Sequence, residues 1–254
     1  MKIGMIGDAH LGSTDYSAKR RSDFSQAFTN AIELCCENGA EVIGLLGDVF
    51  DSAATRRNVD AFAEILREIS PTLIRLKNKG IPLVAIPGNH EFGRGREAGE
   101  LSVLESLEFL QVLRFAEFTI GNVGICGIPW QEDAAQIPEL AANLGKASTA
   151  RRKILLLHNF VRGAHSIPSH LWQVDASASN GFDKVFVGHH HIYEEIGSFI
   201  IPGSTEIQNM LDVSPKFVVT YDTETGAVTR HPLVPTHRVI ALQYDATHIT
   251  GKAL

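Results

Sequence analysis

Five short apolar runs in this chain each break off into residues of the kind that bind metal ions. Lys2 to Ile6 leads to Asp8-Ala9-His10, Val42 to Leu46 to Gly47-Asp48, and Leu83 to Ile86 to Gly88-Asn89-His90. Ile154 to Leu157 ends in His158, and Lys184 to Val187 in Gly188-His189-His190-His191. Runs this short and this continuously apolar read as strands buried on both faces. In a parallel sheet the carboxyl ends of the strands share one rim, where ligands normally bind. Asp8 and His10 are two apart, as are His189 and His191, so on extended backbone each pair points to one side. A lone Asp or His after a strand is usually a cap, a turn or a packed residue. Five such endings in one chain make that reading untenable for the set.

The intervening segments support an α/β fold. Phe24, Ala27, Phe28, Ala31, Ile32 and Leu34 recur near a 3.6-residue period and predict a helix over about Arg20 to Glu37. Val59, Phe62, Ile65, Leu66, Ile69, Leu73 and Leu76 predict another over about Asn58 to Lys79, with Pro71 expected to kink or divide it. The opening is therefore β-α-β-α-β, which favours parallel strands with right-handed crossovers. Later segments pair around turns instead. Phe118 to Ile120 and Val123 to Ile128 flank Gly121-Asn122, and Tyr193 to Ile196 and Phe199 to Ile201 flank Gly197-Ser198. Phe217 to Tyr221 and Ala227 to His231 flank Thr223 to Gly226. Hairpins add antiparallel strands, so the sheet system is mixed. Arg238 to Tyr244 reads as one further strand-like run. The spacing of Leu101, Leu104, Leu107 and Leu110 reads as helix core, with a homodimer face as the alternative.

With 254 residues, 44% of them hydrophobic and 20% charged, the chain has the balance of a globular protein of one large or two small domains. Disorder, collagen and disulfide scaffolds are excluded. The net charge of −6 excludes nucleic-acid binding through bulk charge, so an anionic substrate must be held by local cations or metal ions. Cys35, Cys36 and Cys126 form no even framework and read as buried thiols in a reducing compartment. No apolar run reaches membrane-spanning length, and Asp8 comes too early for a signal peptide. The expectation is a soluble cytoplasmic protein without membrane association.

The candidate donors are Asp8, His10, Asp48, Asn89, His158, His189 and His191, all oxygen or imidazole. Such donors suit Mn, Fe or Zn and disfavour a structural thiolate zinc site. Seven exceed one tetrahedral ion and fit two ions sharing a carboxylate. Paired ions about 3.5–4 Å apart clamp the attacking and leaving oxygens of a phosphate ester.

Asp8-x-His10, Gly47-Asp48, Gly88-Asn89-His90-Glu91, His158 and Gly188-His189-x-His191 resemble the five signature blocks of the calcineurin-like metallophosphoesterases. Asp8-Ala9-His10-Leu11-Gly12, Gly47-Asp48-Val49-Phe50-Asp51 and Pro202-Gly203-Ser204 resemble more narrowly the SbcD-type DNA repair exonucleases, bacterial relatives of the meiotic recombination nuclease. The resemblance implies two mixed β-sheets packed as a sandwich flanked by helices. It assigns one ion to Asp8, His10, Asp48 and His191, and a second to Asp48, Asn89, His158 and His189, with Asp48 bridging. It leaves His90 off the metals to act on the substrate. His90 is then the best candidate for the acid that protonates the leaving oxygen, because metal-bound histidines have committed their lone pairs.

The implied function is a dinuclear-metal phosphodiesterase acting on DNA, with Mn2+ expected and Fe2+, Zn2+ or Mg2+ as alternatives. An SbcC-type coiled-coil ABC ATPase would be its partner. A phosphoesterase for cyclic nucleotides or other small phosphodiesters is the alternative enzyme, and a non-catalytic scaffold of the same fold the alternative class. Glu91 stands where the superfamily usually has Asp. Asp51 stands where archaeal and eukaryotic members have His, and receives no catalytic role. Arg56, Arg57, Arg94 and Arg96 follow ligand blocks and read either as clamps for substrate phosphates or as solvated charge. The expected organisation is a catalytic domain over residues 1–235, with 236–254 a C-terminal extension or the start of a cap domain. Weak DNA binding is expected of a core without its cap.

Overall fold

The computed structural model describes residues 1–13, 20–51, 59–91, 99–164, 173–208 and 214–236. Two six-stranded sheets are stacked face to face. In the first, β1 (Lys2–Ile6), β2 (Val42–Leu45), β3 (Leu83–Ala85) and β4 (Gln111–Val112) run parallel in that order. The hairpin of β11 (Lys216–Asp222) and β12 (Val228–Leu233) returns from the far end of the chain and adds antiparallel to β1. The second sheet has the order β5 (Ala116–Ile120), β6 (Val123–Ile128), β7 (Arg152–His158), β8 (Lys184–Gly188), β10 (Phe199–Ile201), β9 (Glu194–Ile196). There β6, β7, β8 and β10 are parallel, and β5 and β9 close the edges antiparallel as hairpin partners. Both sheets are mixed, as the hairpins predict.

The strands are apolar throughout because both of their faces are buried. In β1, β2 and the residue after it, Ile3, Met5, Val42 and Leu46 point into the space between the sheets, while Ile6, Ile43 and Leu45 point to the helices. In β7 and β8, Ile154, Leu156 and Phe186 face the first sheet, and Leu155, Leu157, Val185 and Val187 face outward. Three apolar layers result. Helices α1 (Arg21–Glu37), α2 (Val59–Asn78) and α3 (Gly99–Ser106) cover the first sheet, and α4 (Ile137–Ala147) covers the second. Each large side chain moved out of water in these layers contributes about 1.5–3 kcal/mol.

Helix α1 lies one residue inside its predicted start and buries Phe24, Ala27, Phe28, Ala31, Ile32 and Cys35. It stops where Asn38 turns its amide back onto the Leu34 carbonyl (2.8 Å) and Gly39 takes φ +82°. Helix α2 corrects an expectation, because Pro71 does not divide it. Pro71 and Arg67 lie on the exposed face, where water can take the carbonyl that the missing N–H leaves over, and Ile69, Leu73 and Leu76 hold both halves to the core. Leu101, Leu104 and Leu110 are core residues, whereas Leu107 is 50% exposed. Neither helix α4 nor the two-residue strand β4 is predicted from the sequence, although Ile137, Leu140, Ala141 and Leu144 of α4 recur at helical spacing. Cys35 and Cys126 are buried and Cys36 partly so, and all three are free. Among the described residues no helix is long and apolar enough to cross a membrane. Arg238 to Tyr244 and most of the 236–254 segment lie outside the described residues.

One expectation about placement changes. The five ligand-bearing strands do not share one sheet rim: β1, β2 and β3 belong to the first sheet, and β7 and β8 to the second. The two rims meet through glycine. A Cβ at Gly188 would lie 2.0 Å from the Leu46 carbonyl oxygen and 2.8 Å from His158 Nδ1. Because the obstacle is main chain, it cannot swing aside. Gly188→Ala should therefore lower stability by about 2–3 kcal/mol, read by denaturant unfolding. In Gly145 of α4, by contrast, an added methyl meets the Phe182 ring at 3.5 Å, an ordinary contact. Gly145→Ala should leave stability unchanged or raise it by up to about 1 kcal/mol.

Candidate metal centre

The loops that follow β1 and β2 are laced together by main-chain bonds. Ala9 and His10 donate to the Asp48 carbonyl (3.1 and 2.9 Å), Leu11 to Val49 (2.8 Å), and Asp51 back to Leu11 (2.9 Å). The lacing bends the backbone. His10 and Asp48 both take φ +46°, and His189 takes +80°, conformations that side chains larger than glycine rarely adopt. Three of the five non-glycine residues with positive φ among the described residues are thus candidate ligands. Strain of this kind persists only where the surroundings enforce it.

The Asp48 carboxylate is the hub. Its Oδ2 lies 3.4 Å from His158 Nε2, 3.9 Å from His10 Nε2 and 4.0 Å from His90 Nε2. Its Oδ1 accepts the His90 main-chain N–H at 2.8 Å. Asn89 Oδ1 lies 3.1 Å from His158 Nε2. The Asp8 carboxylate accepts the His189 main-chain N–H at 2.8 and 3.0 Å, tying the first sheet to the second. Donor atoms of Asp8, His10 and His191 lie within 4.8 Å of one another, as do those of His10, Asp48 and His90, and those of Asp48, His158 and His189. All seven sequence candidates therefore meet at one place.

Burial sets the charge pattern. Asp8, His10, Asp48 and His158 are almost wholly enclosed. Burial would raise the Asp48 carboxyl, but the charge and hydrogen bond of His158, then His10 and His90, outweigh it and hold Asp48 well below the usual carboxylate range. Burial would equally lower His158, and Asp48 outweighs it, lifting the imidazole to about 9. His10 is pushed down to about 3 and His189 to about 2, in both cases chiefly by burial. Burial, with Asp48 adding, lifts Asp8 to about 7. The Nε2 atoms of His10 and His189 are buried with no hydrogen-bond partner. The Leu46 carbonyl, 2.6 Å from His158 Nδ1, can only accept, so that nitrogen carries a proton and Nε2 faces inward. Buried carboxylates beside imidazole nitrogens that lack partners suit divalent cations.

His90 differs from the other histidines. Its side chain is 35% exposed, and its Nδ1 lies 3.5 Å from Asp51 Oδ1. The Asp51 hydrogen bond is the main cause that lifts His90 to about 9. His190 turns aside, accepting the Val161 main-chain N–H on Nε2 at 3.3 Å. His231 sits far along β12, 2.8 Å from the Thr220 hydroxyl. Arg56, Arg57, Arg94 and Arg96 lie outside the described residues, as do His165, His170, His237 and His248.

Three residues receive no role in the sequence reading. Asp51 touches His90, as just described. Glu91, fully buried, collects the main-chain N–H groups of Asp48 (2.9 Å), Phe50 (2.8 Å) and Gly88 (2.8 Å). Trp130 follows β6 by two residues and lays its ring 4.8 Å from that of His189, with the Phe160 ring 4.1 Å from the same imidazole. Its signal was Pro129-Trp130 after an apolar run, an ending without a ligand.

Buried carboxylates and imidazoles converging from the strand ends of two stacked sheets define a metallophosphoesterase type of centre. The family profile described as calcineurin-like phosphoesterase matches residues 1–193, and the chain belongs to that family. It is similar to the DNA double-strand break repair protein Mre11 of Saccharolobus solfataricus, with 28% identity over 82% of this chain and 55% of the relative. The Mre11 of Methanosarcina mazei is 28% identical over 94% of this chain and 39% of its own length. The chain thus spans about half, or less, of the curated relatives it matches. A dimetal phosphatase from Danio rerio shares the fold with a TM-score of 0.52 at 12% identity, over 87% of this chain and 91% of that one.

The Glu91 bonds yield a prediction. In Glu91→Gln one carboxylate oxygen becomes an amide that faces a main-chain N–H. The variant should lose about 2 kcal/mol of stability, read as a lower denaturation midpoint with an unchanged slope.

Proposed function

We propose that this chain is the catalytic core of a dinuclear-metal phosphodiesterase that acts on DNA. The observation that carries the reading is the Asp48 carboxylate, within 4 Å of His10, His90 and His158 and reached by both sheets. Similarity to DNA break repair proteins over most of the chain supports the choice of DNA. Asp8, His10, Asp48 and His191 would hold one ion, and Asp48, Asn89, His158 and His189 the other, with Mn2+ the favoured metal. Bound divalent ions supply charge that offsets the phosphodiester's own and make water acidic enough to attack near neutral pH.

The protein's own groups do the rest. The Leu46 carbonyl fixes the His158 tautomer, and the Asp8 carboxylate fixes the His189 backbone. Asp51 orients His90 through Nδ1 and stabilises its protonated form, leaving Nε2 on the Asp48 side of the partly open mouth. From there His90 donates a proton to the departing oxygen. Its place at the exposed edge of the cluster, held by Asp51, suits an acid rather than a ligand. Residues 1–235 form the proposed catalytic domain, and an SbcC-type coiled-coil ATPase is the proposed partner by resemblance. The presence of all seven donors and His90 argues against a non-catalytic scaffold. The net charge of −6 favours the second reading, a phosphoesterase for small phosphodiesters.

The test pairs linear duplex DNA with a small nitrophenyl diester, each with Mn2+ or with chelator. Hydrolysis of both with Mn2+, two ions per chain by elemental analysis, and a melting temperature lowered by chelator are expected. Asp48→Ala should lose both ions. Hydrolysis of the small diester alone would favour the second reading, and saturation at one ion would remove the two-ion mechanism.

A second prediction isolates His90. His90→Asn should keep near wild-type metal content and lose about 10²- to 10⁴-fold in DNA hydrolysis. The loss should be smaller on the nitrophenyl diester, whose leaving group departs unprotonated. His189→Ala should lose metal and both rates together. Equal loss of both rates in His90→Asn would show that His90 is not the acid.

A further inference from the structure

Lys216, the first residue of β11, is 1% exposed, the only lysine among the described residues to be so enclosed. Its ammonium donates to the main-chain carbonyl of His191 (3.0 Å) and to the Ser204 hydroxyl (3.0 Å). The same His191 carbonyl accepts the main-chain N–H of Ser204 at 3.2 Å. The Ser204 hydroxyl in turn donates to the Glu206 carbonyl at 2.8 Å, and the N–H of Thr205 donates to the carbonyl of Asp8 at 3.1 Å. One lysine thus sits behind a short stretch, Ser204–Thr205, that ties His191 to Asp8.

Enclosing an ammonium is costly unless its donors are satisfied, and an apolar side chain of similar volume would avoid the cost. What the cation contributes here is a fixed peptide plane. His191 lies in a loop between β8 and β9, outside any strand ladder. Its imidazole hangs from a backbone whose carbonyl is gripped from behind by Lys216 and Ser204. The opposite half of the centre is held by other means: His158 by the Leu46 carbonyl, His189 by the Asp8 carboxylate.

We propose that Lys216 is a positioning residue for one half of the metal centre, gripping the His191 carbonyl so that the imidazole stands opposite Asp8 and His10. The proposal rests on the metal reading of those three residues. Groups that orient a ligand in this way are typically worth 10- to 100-fold in metal affinity.

The test is calorimetric titration of the whole chain with Mn2+, for wild type, Lys216→Met and Ser204→Ala, with melting curves of the metal-free proteins alongside. Lys216→Met should bind one ion as wild type does and the other 10- to 100-fold more weakly. Ser204→Ala should shift the same ion by a smaller factor, and decides the matter if Lys216→Met does not fold. Wild-type affinity for both ions, or equal weakening of both, overturns the proposal, because a general loss of structure would not single out one ion. A wild-type chain that takes up no Mn2+ removes the proposed function and this inference together. Two ions in wild type with no selective change in the variants removes the inference alone.

Discussion

The structure depends on one close approach, that of the Asp48 carboxylate to the His158 imidazole at 3.4 Å. Asp48 ends a strand region of the first sheet, and His158 is the last residue of β7 in the second. Both are buried, so water screens little of the attraction between them. A buried charge without such a partner would be expensive. The pair therefore pins the two rims together at the point where the other donors gather.

Geometry around that pair leaves little freedom. Glycines 88 and 188 let main chain come where a methyl would collide with Asp48 or Leu46. Glu91 gathers three main-chain N–H groups from the β2 and β3 loops, and the Asp8 carboxylate takes the N–H of His189. The donor side chains are thus held through hydrogen bonds that their own backbones and neighbours make. A centre organised in this way is largely formed by the fold itself.

Much of this was legible in the residues. The strands carrying the candidates are apolar on both faces, which gives an unambiguous run, and each run ends in a donor that has no structural reason to recur five times. The hairpins announced themselves through Gly121-Asn122 and Gly197-Ser198. What could not be read was which strands share a sheet, because a run buried on both faces looks the same in either layer. Asp51 and Glu91 were hidden for a different reason: their roles lie in what they touch, His90 and three amides, and no periodicity encodes a contact across 39 or 43 positions. Lys216 stands just before the predicted Phe217 to Tyr221 strand, and nothing in its neighbours in sequence marks it as enclosed. The two-residue strand β4 is too brief to stand out from a loop, whereas α4 goes unread despite the helical spacing of Ile137, Leu140, Ala141 and Leu144.

The left-handed backbone at His10, Asp48 and His189 has a consequence for how such a chain can change over generations. Each of these positions costs roughly 1–3 kcal/mol that glycine would largely recover, in proteins whose whole stability is only about 5–15 kcal/mol. A copy released from its chemistry would therefore gain robustness by giving up His10 and His189 first, whereas Asp48 is also held by its buried partner His158. Inactive descendants of this architecture should carry glycine or asparagine at positions 10 and 189 before their cores erode, while a lineage under selection for catalysis stays less stable than its own backbone would permit.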